Sequence, residues 1–187
     1  MKKIPTLFIR NEKDMSRVLP IVDPGCQWVL DGEGVAHQKL DGTSCMIKDC
    51  ELYKRREVKF GRERPDGFIE VGYTNGKTQG WVPVDQMDRW HNAAFLILKH
   101  TAEKTEIPIK DGTYELIGPK VQGNPENFPH HALKRHDQTV KYPDAPRTYE
   151  ELAEWFRDMD IEGIVWHHDD GRYAKIKGKD FGHKRGK

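Results

Sequence analysis

The sequence contains little that would place it in or beyond a membrane. No apolar run approaches the ~20 residues that a helix needs to cross a bilayer. The opening stretch MKKIPTLFIRNEKD has neither a long apolar region nor a small-residue cleavage site. Only three cysteines occur, Cys26, Cys45 and Cys50; they are odd in number and form no C-x-x-C pair. We therefore expect free thiols, a cytoplasmic location and no membrane partner.

The chain also lacks a strong net charge, internal repeats and low-complexity linkers. Its net charge is +1, with 33% charged and 36% hydrophobic residues. Five tryptophans and seven phenylalanines argue against an intrinsically disordered chain. Because 187 residues suffice for one buried core, we expect a single domain over residues 1–187.

The positive charge is uneven along the chain, with two basic clusters. YKRREVKFGRER spans Tyr53 to Arg64, and KIKGKDFGHKRGK spans Lys175 to Lys187. Such clusters are either solvated surfaces or binding sites for polyphosphate or a nucleic-acid backbone. The composition fits both interpretations.

Turn-forming pairs divide the chain into short segments. Asp-Gly pairs begin at positions 31, 41, 66, 111 and 170, and Asn75-Gly76 adds another. These pairs supply the positive φ angles of tight turns. The β-rich runs between them predict strands: QWVL, TSCMIK, CELYKR, GFIEVG, GTYELIG, EGIVWHH and RYAKIK.

Two segments have helical rather than strand periodicity. One covers residues 84–104, and the other begins at Thr148, where Glu151 completes a capping-box pattern. Between residues 119 and 146 we expect long loops around one short strand, HALKRH. The sequence therefore predicts an α+β fold, mainly antiparallel sheets with two or three helices. The predicted apolar helix faces are Met87, Trp90, Ala94, Ile97 and Leu98 in the first, and Leu152, Trp155 and Phe156 in the second.

One lysine precedes an Asp-Gly pair in the stretch HQKLDGTSCMI, where Lys39-Leu40-Asp41-Gly42 lies between two predicted strands. We expect a hairpin there. A lysine at a hairpin end is often only a solvated charge, and K-x-D-G is a weak pattern alone. Four further stretches, in a fixed order along the chain, make a reactive role more credible. They are YKRRE with Arg55, TYELIGPK with Glu115, IEGIVW with Glu162, and AKIKGKDFG with Lys175 and Lys177.

The last of these stretches places two cations on one face of a strand. Residues two apart in a strand point to the same side, so Lys175 and Lys177 project together and Ile176 faces the core. Two ammonium groups repel each other unless an anion lies between them, and a triphosphate is a natural candidate. The alternative is an edge strand protected by lysines.

A carboxylate begins an otherwise apolar strand in EGIVW. Glu162 there could bind a divalent cation, while Ile164 or Val165 covers an apolar face of a ligand. The alternative is a glutamate that lies in solvent at the end of a strand.

The ordered set K-x-D-G, K-R, Y-E-L, E-G-I-V and K-I-K resembles the covalent nucleotidyltransferases, the superfamily of ATP-dependent DNA and RNA ligases and mRNA capping enzymes. The resemblance covers roughly residues 26–182. The stretches PGCQWVLDGEGVAHQKLDGTSCMI, YKRRE and YELIGPKVQGNPE are most similar to small RNA ligases of phages, bacteria and animals. The resemblance implies a ligase-type nucleotidyltransferase fold, ATP-grasp-like, and a host-cytoplasmic location if the chain is phage-encoded.

The resemblance also implies a covalent mechanism. Lys39 would attack the α-phosphate of ATP and hold AMP as a phosphoramidate. A free lysine has a pKa near ~10.4, and neighbouring cations and desolvation favour the neutral, nucleophilic amine. Lys175 and Lys177 would neutralise the phosphates. Asp41 and Gly42 would form the turn that presents Lys39, with Asp41 also near the reacting ends.

Further roles follow from the same resemblance. Arg55 would contact the nucleotide and the acceptor end, and Glu115 would contact the ribose or a metal. Glu162 would hold Mg²⁺, with Mn²⁺ as a possible substitute. Glu162, Ile164 and Gly42 would all line the nucleotide site. The partner would be RNA with a 5′-phosphate and a 3′-hydroxyl, which would be sealed with release of AMP.

Some positions depart from the pattern of the superfamily. Ser44 stands where many ligases carry arginine, which disfavours a DNA ligase, and Gln38 stands where acidic residues are common. The residue that stacks on adenine is unassigned among Phe128, His131 and His136. No OB-fold domain follows in this sequence, so an accessory domain or a separate end-healing enzyme is a possible partner.

Two alternatives remain to the RNA ligase interpretation: a non-catalytic nucleotide- or RNA-binding module, and a DNA ligase or capping enzyme. Retention of all five motif charges favours an enzyme. The HHDD stretch, residues 167–170, is a further candidate metal site, but alternating residues of a strand diverge, so a solvated turn is the better interpretation.

Overall fold

The computed structural model describes residues 3–185 and has an α+β fold with almost entirely antiparallel sheets, which confirms the predicted class. The backbone divides into two compact units, residue 3 with 41–138 and residues 4–40 with 139–185. Within the described residues, no helix is both long and apolar enough to cross a bilayer. The prediction of one domain over 1–187 stays a prediction.

The secondary structure comprises twelve strands and three α-helices among the described residues. In chain order the elements are β1 (Phe8–Asn11), β2 (Asp14–Val22), α1 (Gln27–Leu30), β3 (Val35–Lys39), β4 (Thr43–Lys48), β5 (Glu51–Lys59), β6 (Ile69–Thr74), β7 (Lys77–Pro83), α2 (Arg89–Thr105), β8 (Gly112–Ile117), β9 (Ala132–Arg135), β10 (Lys141–Tyr142), α3 (Tyr149–Trp155), β11 (Gly163–His167) and β12 (Tyr173–Lys177). Short 3₁₀ turns lie at Pro24–Cys26, His136–Gln138 and Gly178–Phe181.

The first unit is built on a six-stranded sheet with the order β6-β7-β5-β4-β8-β9. Strand alternation puts apolar side chains of β4, β5, β8 and β9 on one face, where they form a core that includes Ala94 of α2. The opposite face carries polar side chains. The buried members of this core are Cys45, Ile47, Leu52, Ala94, Tyr114, Leu116, Val121 and Leu133.

Two hairpins of this sheet use turns of the same kind with different residues. Asn75 and Gly76 join β6 to β7 with φ angles of 52° and 73°, as the Asn-Gly pair predicts. Asp49 and Cys50 join β4 to β5 with φ angles of 51° and 61°. Because this second turn contains no glycine, the turn pattern did not reveal it.

The helix predicted over 84–104 begins later, at Arg89, and ends at Thr105. The preceding residues form a turn in which the Asp85 carboxylate accepts a hydrogen bond from the Met87 N–H at 2.7 Å. The predicted apolar face is only partly buried: Ala94 is buried, but Met87 is 81% exposed and precedes the helix, and Trp90 is 41% exposed. Trp90 instead stacks on His131, with ring centroids 4.6 Å apart.

The second unit contains a four-stranded sheet, β10-β3-β11-β12, and the β1–β2 pair. Its core contains α3 side chains and one face of the four-stranded sheet. The capping-box expectation at Thr148 is met in part, because Thr148 is the N-cap but its hydroxyl donates to the Glu151 carboxylate at 2.7 Å and caps no backbone N–H. Leu152 and Phe156 are buried, as predicted.

The strand predicted for QWVL is wrong. Gln27–Leu30 forms α1, which continues from the 3₁₀ turn Pro24–Cys26. Asp23 caps that turn by accepting the Gly25 N–H, and Pro24 fixes the first φ angle. The preceding turn therefore determines the conformation, and Trp28 and Val29 reach the core from a helix.

Candidate active site

The second unit brings three of the predicted site residues together through strand register. In the four-stranded sheet, Gly163 of β11 pairs with Lys39 of β3 on one side and with Lys177 of β12 on the other. Paired residues in antiparallel strands project to the same face. The two lysines therefore lie on the same face, on either side of Gly163, and Glu162 directly precedes that glycine.

Glu162 bonds to both lysines. Its Oε2 accepts a hydrogen bond from the Lys39 ammonium, and its Oε1 accepts one from the Lys177 ammonium. Burial alone would raise the pKa of Glu162, but the charges of Lys39 and Lys177 outweigh it and hold the pKa below its usual value. The interpretation of Glu162 as a solvated strand end is therefore wrong.

A side chain at Gly163 would collide with the neighbouring strand β12. A Cβ atom there would lie 2.3 Å from the Ile176 carbonyl oxygen and 2.9 Å from the Lys177 Cα. Both atoms belong to the backbone and have little freedom to move. Glycine at this position lets β11 and β12 approach closely enough to bring Glu162 and Lys177 together.

The two faces of this sheet differ in character. Lys175 pairs with Val165, so Lys175 lies on the same face as Lys177, and Ile176 lies in the core on the other side. This confirms the predicted alternation. Ile164, a predicted ligand-contacting residue, is also in the core, so of Ile164 and Val165 it is Val165 that shares the lysine face.

A residue that the sequence interpretation missed holds the backbone at Lys177. Asp180 is 1% exposed, and its Oδ2 accepts the Lys177 N–H at 3.0 Å. Its Oδ1 accepts a hydrogen bond from Arg10 Nη1 at 2.8 Å. The sequence did contain a signal for this role: Asp180 is an acidic residue at the start of a helical turn, three positions after the last residue of a strand.

The K-x-D-G stretch is not a hairpin. β3, which ends at Lys39, and β4 belong to different sheets, so the chain passes from one unit to the other between Leu40 and Asp41. The hairpin prediction is wrong because turn residues do not reveal which strands pair. Within the first unit, the Asp41 N–H donates to Glu126 Oε1 at 2.9 Å. Gly42 allows a close backbone approach, since a Cβ there would lie 2.2 Å from the Leu116 carbonyl oxygen.

The polar face of the first unit's sheet carries Arg55 next to Trp81. Arg55 Nη2 donates to Gln79 Oε1 at 2.9 Å, and its guanidinium lies 4.9 Å from the centre of the Trp81 ring. The Trp81 Nε1 is buried and has no hydrogen-bond partner among the described residues. Burial also lowers the pKa of Arg55 somewhat, against the opposing effect of Glu57.

The same face carries Glu115 two strands away. Its Oε2 lies 2.8 Å from His136 Nε2, and His136 Nδ1 lies 2.9 Å from the Thr113 hydroxyl. Ser44 pairs with Glu115 across the strands, and its buried hydroxyl has no partner among residues 3–185. This face therefore presents buried polar groups that a bound ligand could satisfy.

The three candidates for adenine stacking are all engaged in the first unit. His136 bonds to Glu115, His131 stacks on Trp90, and Phe128 lies 4.8 Å from the Lys134 ammonium. This arrangement does not select one of them, so the adenine contact stays unassigned.

No cluster of three or more histidine, cysteine, aspartate or glutamate side chains that could hold a metal occurs within residues 3–185. The HHDD stretch is a turn: His168 and Asp170 pair at 2.8 Å, and Arg172 joins Asp170 at 2.7 Å. All three cysteines are free, as predicted. Of the second basic cluster, Gly186 and Lys187 lie outside the described residues.

Comparisons with known proteins show the family to which the chain is similar. A family model described as RNA ligase 1 matches residues 60–186. RNA ligase 1 of Rattus norvegicus is 30% identical over 159 residues, which is 71% of this chain and 46% of that protein. RNA ligase 1 of Danio rerio is 33% identical over 130 residues, which is 54% of this chain and 40% of that protein.

These matches cover only part of the relatives and part of this chain. The chain spans less than half the length of the curated relatives it matches. The family model also begins after Lys39 and Arg55, and it includes Glu115, Glu162 and Lys177. The roles expected for all five of these residues stay predictions.

Proposed function

Because the chain belongs to the RNA ligase 1 family, we propose that it is an ATP-dependent RNA ligase that forms a lysyl-AMP intermediate on Lys39 and seals RNA ends. The observation that carries this proposal is the contact of Glu162 with both Lys39 and Lys177. The buried carboxylate fixes the position of Lys39, and the further cations on the same face suit the binding of a polyphosphate beside it.

In the first step, the Lys39 amine would attack the α-phosphorus of ATP. A P–N bond forms, the P–O bond to the β-phosphate breaks, and pyrophosphate leaves. Lys39 must lose a proton before it attacks, and its hydrogen bond to Glu162 offers that proton a path. Lys177 and Lys175 would then offset the negative charge that develops on the phosphates.

In the two later steps, AMP would pass to the 5′-phosphate of RNA, and a 3′-hydroxyl would displace AMP to form the phosphodiester. Each step exchanges one phosphoryl linkage for another and needs no redox partner. The bound polynucleotide needs contacts to its phosphates, for which cationic side chains are suited.

A divalent cation fits this chemistry with few protein ligands. Mg²⁺ usually keeps several waters and binds through one or two carboxylates together with substrate phosphates. Glu162 is the carboxylate in the second unit that suits this role, and Glu115 stays a prediction. When bound, the cation would supply charge neutralisation for the leaving pyrophosphate.

The experiment that tests the proposal is covalent labelling with α-labelled ATP. We expect the denatured wild-type chain to carry label that added pyrophosphate removes, and Lys39→Ala to carry none. Lys141→Ala is the matched control, because Lys141 is an exposed lysine that pairs with His37 in the same sheet; it should label normally.

Other outcomes of this experiment would replace the proposal. Label on Lys39→Ala equal to the wild type would remove Lys39 as the nucleophile. Label from GTP alone would favour a capping reaction. Tight ATP binding without any label would favour the non-catalytic binding module.

A further inference from the structure

The end of the first unit's sheet formed by β5, β6 and β7 carries exposed aromatic rings among cations. Phe60 is 84% exposed and Tyr73 is 57% exposed. The nine residues from Arg56 to Arg64 include four cationic and two acidic side chains. One of the two acids, Glu57, is already paired with Lys77 at 2.8 Å.

Register places the aromatic rings on one side of the sheet. Val58 and Tyr73 both pair with Thr78 of β7, so the three side chains share a face. Phe60 lies two residues after Val58, and its N–H continues the ladder by donating to the Gly76 carbonyl at 2.9 Å. Alternation therefore directs Phe60 to the side of Tyr73.

Arginines flank these rings on the same side. Arg56 pairs with Gly80, two positions from Thr78 in β7, so its exposed side chain also lies on the face of Tyr73. The Phe68 ring covers Gly80, and the Arg64 guanidinium lies 5.8 Å from the centre of that ring. Guanidinium groups beside open aromatic faces are the side chains that contact unpaired bases and phosphates.

Two of the arginines at this end have no acidic partner. Within residues 3–185, Arg56 and Arg62 take part in no ion pair, whereas Arg64 pairs with Glu70 at 2.7 Å. Lys59 pairs with Lys77 on the opposite face of the sheet, where Glu57 offsets the charge of Lys77. An anionic partner that also stacks on aromatic rings would offset the charges of Arg56 and Arg62.

We infer that this surface, the basic–aromatic end formed by Arg56, Phe60, Arg62, Arg64 and Tyr73, binds single-stranded RNA. Phosphates lie against Arg56 and Arg62, and unpaired bases stack on Phe60 and Tyr73. The inference rests on the proposed function, because it assigns the RNA substrate of that reaction a surface outside the lysine cluster.

The test measures equilibrium binding of a labelled single-stranded RNA of about 12 nucleotides, within the range that one such binding surface covers. Phe60→Ala/Tyr73→Ala should weaken binding about tenfold or more. Arg56→Ala/Arg62→Ala should lower the slope of log affinity against log salt by about 0.7 for each lost phosphate contact.

Matched controls separate this surface from general charge and from misfolding. Lys99→Ala/Lys104→Ala removes two exposed cations of α2 in the same unit and should leave the affinity within about twofold of the wild type. Phe60→Tyr/Tyr73→Phe keeps both rings and should retain wild-type binding. Covalent labelling from ATP needs no RNA, so it should be unchanged in every variant.

Two results would overturn the inference. If the aromatic and cationic variants bind RNA with wild-type affinity and salt slope, this surface does not bind RNA and its rings suit a protein partner instead. If Phe60→Ala/Tyr73→Ala weakens the binding of duplex RNA as much as that of single-stranded RNA of the same length, stacking of unpaired bases is not the mode of binding. Failure of covalent labelling in the wild type would contradict the proposed function and leave these binding measurements valid.

Discussion

The two units organise their functional side chains in different ways. In the second unit, two lysines share one buried carboxylate across three adjacent strands. In the first unit, Arg55 bonds to Gln79, and Glu115 bonds to His136, which also contacts the Thr113 hydroxyl. A carboxylate shared by two cations couples them, so the loss of one changes the other, whereas the Glu115–His136 contact joins one carboxylate to one imidazole. Substitutions should therefore have larger effects in the second unit than in the first.

Removal of one partner of the shared carboxylate should have the largest effect on activity. Lys177→Ala leaves Glu162 with one cation and removes a charge that would face the phosphates. We expect the rate of covalent labelling from ATP to fall about 100-fold or more, as for other lost transition-state charge partners. Rapid-quench labelling measures this rate, and an unchanged rate would make Lys177 a surface lysine.

The matched change in the first unit is His136→Ala, which removes one partner of Glu115. Because Glu115 bonds here to one imidazole rather than to two ammonium groups, we expect a fall of about tenfold or less. The ratio of the losses in labelling rate for Lys177→Ala and His136→Ala directly tests the difference between the two units. A larger loss for His136→Ala than for Lys177→Ala would reverse it.

Gly163→Ala should disturb the geometry of the cluster through the backbone. The added Cβ would lie 2.3 Å from the Ile176 carbonyl oxygen, so β11 and β12 must separate. We expect a loss of about 1–3 kcal/mol in the free energy of unfolding, measured by urea denaturation. The control is Gly178→Ala, where the nearest atom is Phe156 Cδ1 at 3.5 Å, an ordinary contact; equal losses in both variants would contradict the account.

Asp180→Ala should lower the free energy of unfolding by as much as Gly163→Ala does, or by less. It should also lower the rate of covalent labelling. The change removes the acceptor of the Lys177 N–H and one of the acceptors of Arg10, and an unsatisfied buried group costs about 1–3 kcal/mol. Asp180→Asn can still accept the Lys177 N–H and should recover most of the labelling rate. If Asn recovers nothing, the hydrogen bond to Lys177 is not what Asp180 contributes.

Because the pKa of Glu162 is lowered in the folded chain, the free energy of unfolding should depend on pH with a known sign. The unfolded chain takes up this proton at a higher pH than the folded chain does, so acidification favours unfolding. The stabilisation is present above the usual value of 4.5 and is lost as pH falls through the lower folded value. Against Glu162→Gln, the wild type should lose free energy of unfolding below about pH 4.5; a difference that is constant with pH would contradict the ion pairs.

Strand alternation and motif order in the sequence predicted much of the lysine face. Lys175 and Lys177 share a face opposite Ile176 because side-chain direction in a strand has a period of two, which is a local property. Glu162 and Lys177 lie 15 residues apart on consecutive strands of a hairpin, and their contact follows from that connection.

Long-range pairing could not be predicted in the same way. Whether Lys39 ends a strand that pairs with β4 or with β11 depends on sheet order, which turn residues do not encode, and the hairpin expectation failed for that reason. The contact of Asp180 with Arg10 could not be predicted because the two residues lie 170 positions apart in the sequence. The helical QWVL segment was misassigned because its β-branched and aromatic residues suit both a strand and a buried helix face.

The most direct test of the central claim locates the modified residue. The wild-type protein is incubated with ATP and Mg²⁺, digested, and its peptides are sequenced by tandem mass spectrometry under conditions that preserve phosphoramidates. The account predicts AMP on Lys39 and on no other lysine. AMP found on Lys175 or Lys177 instead, or a fully active ligase with no modified lysine, would contradict it.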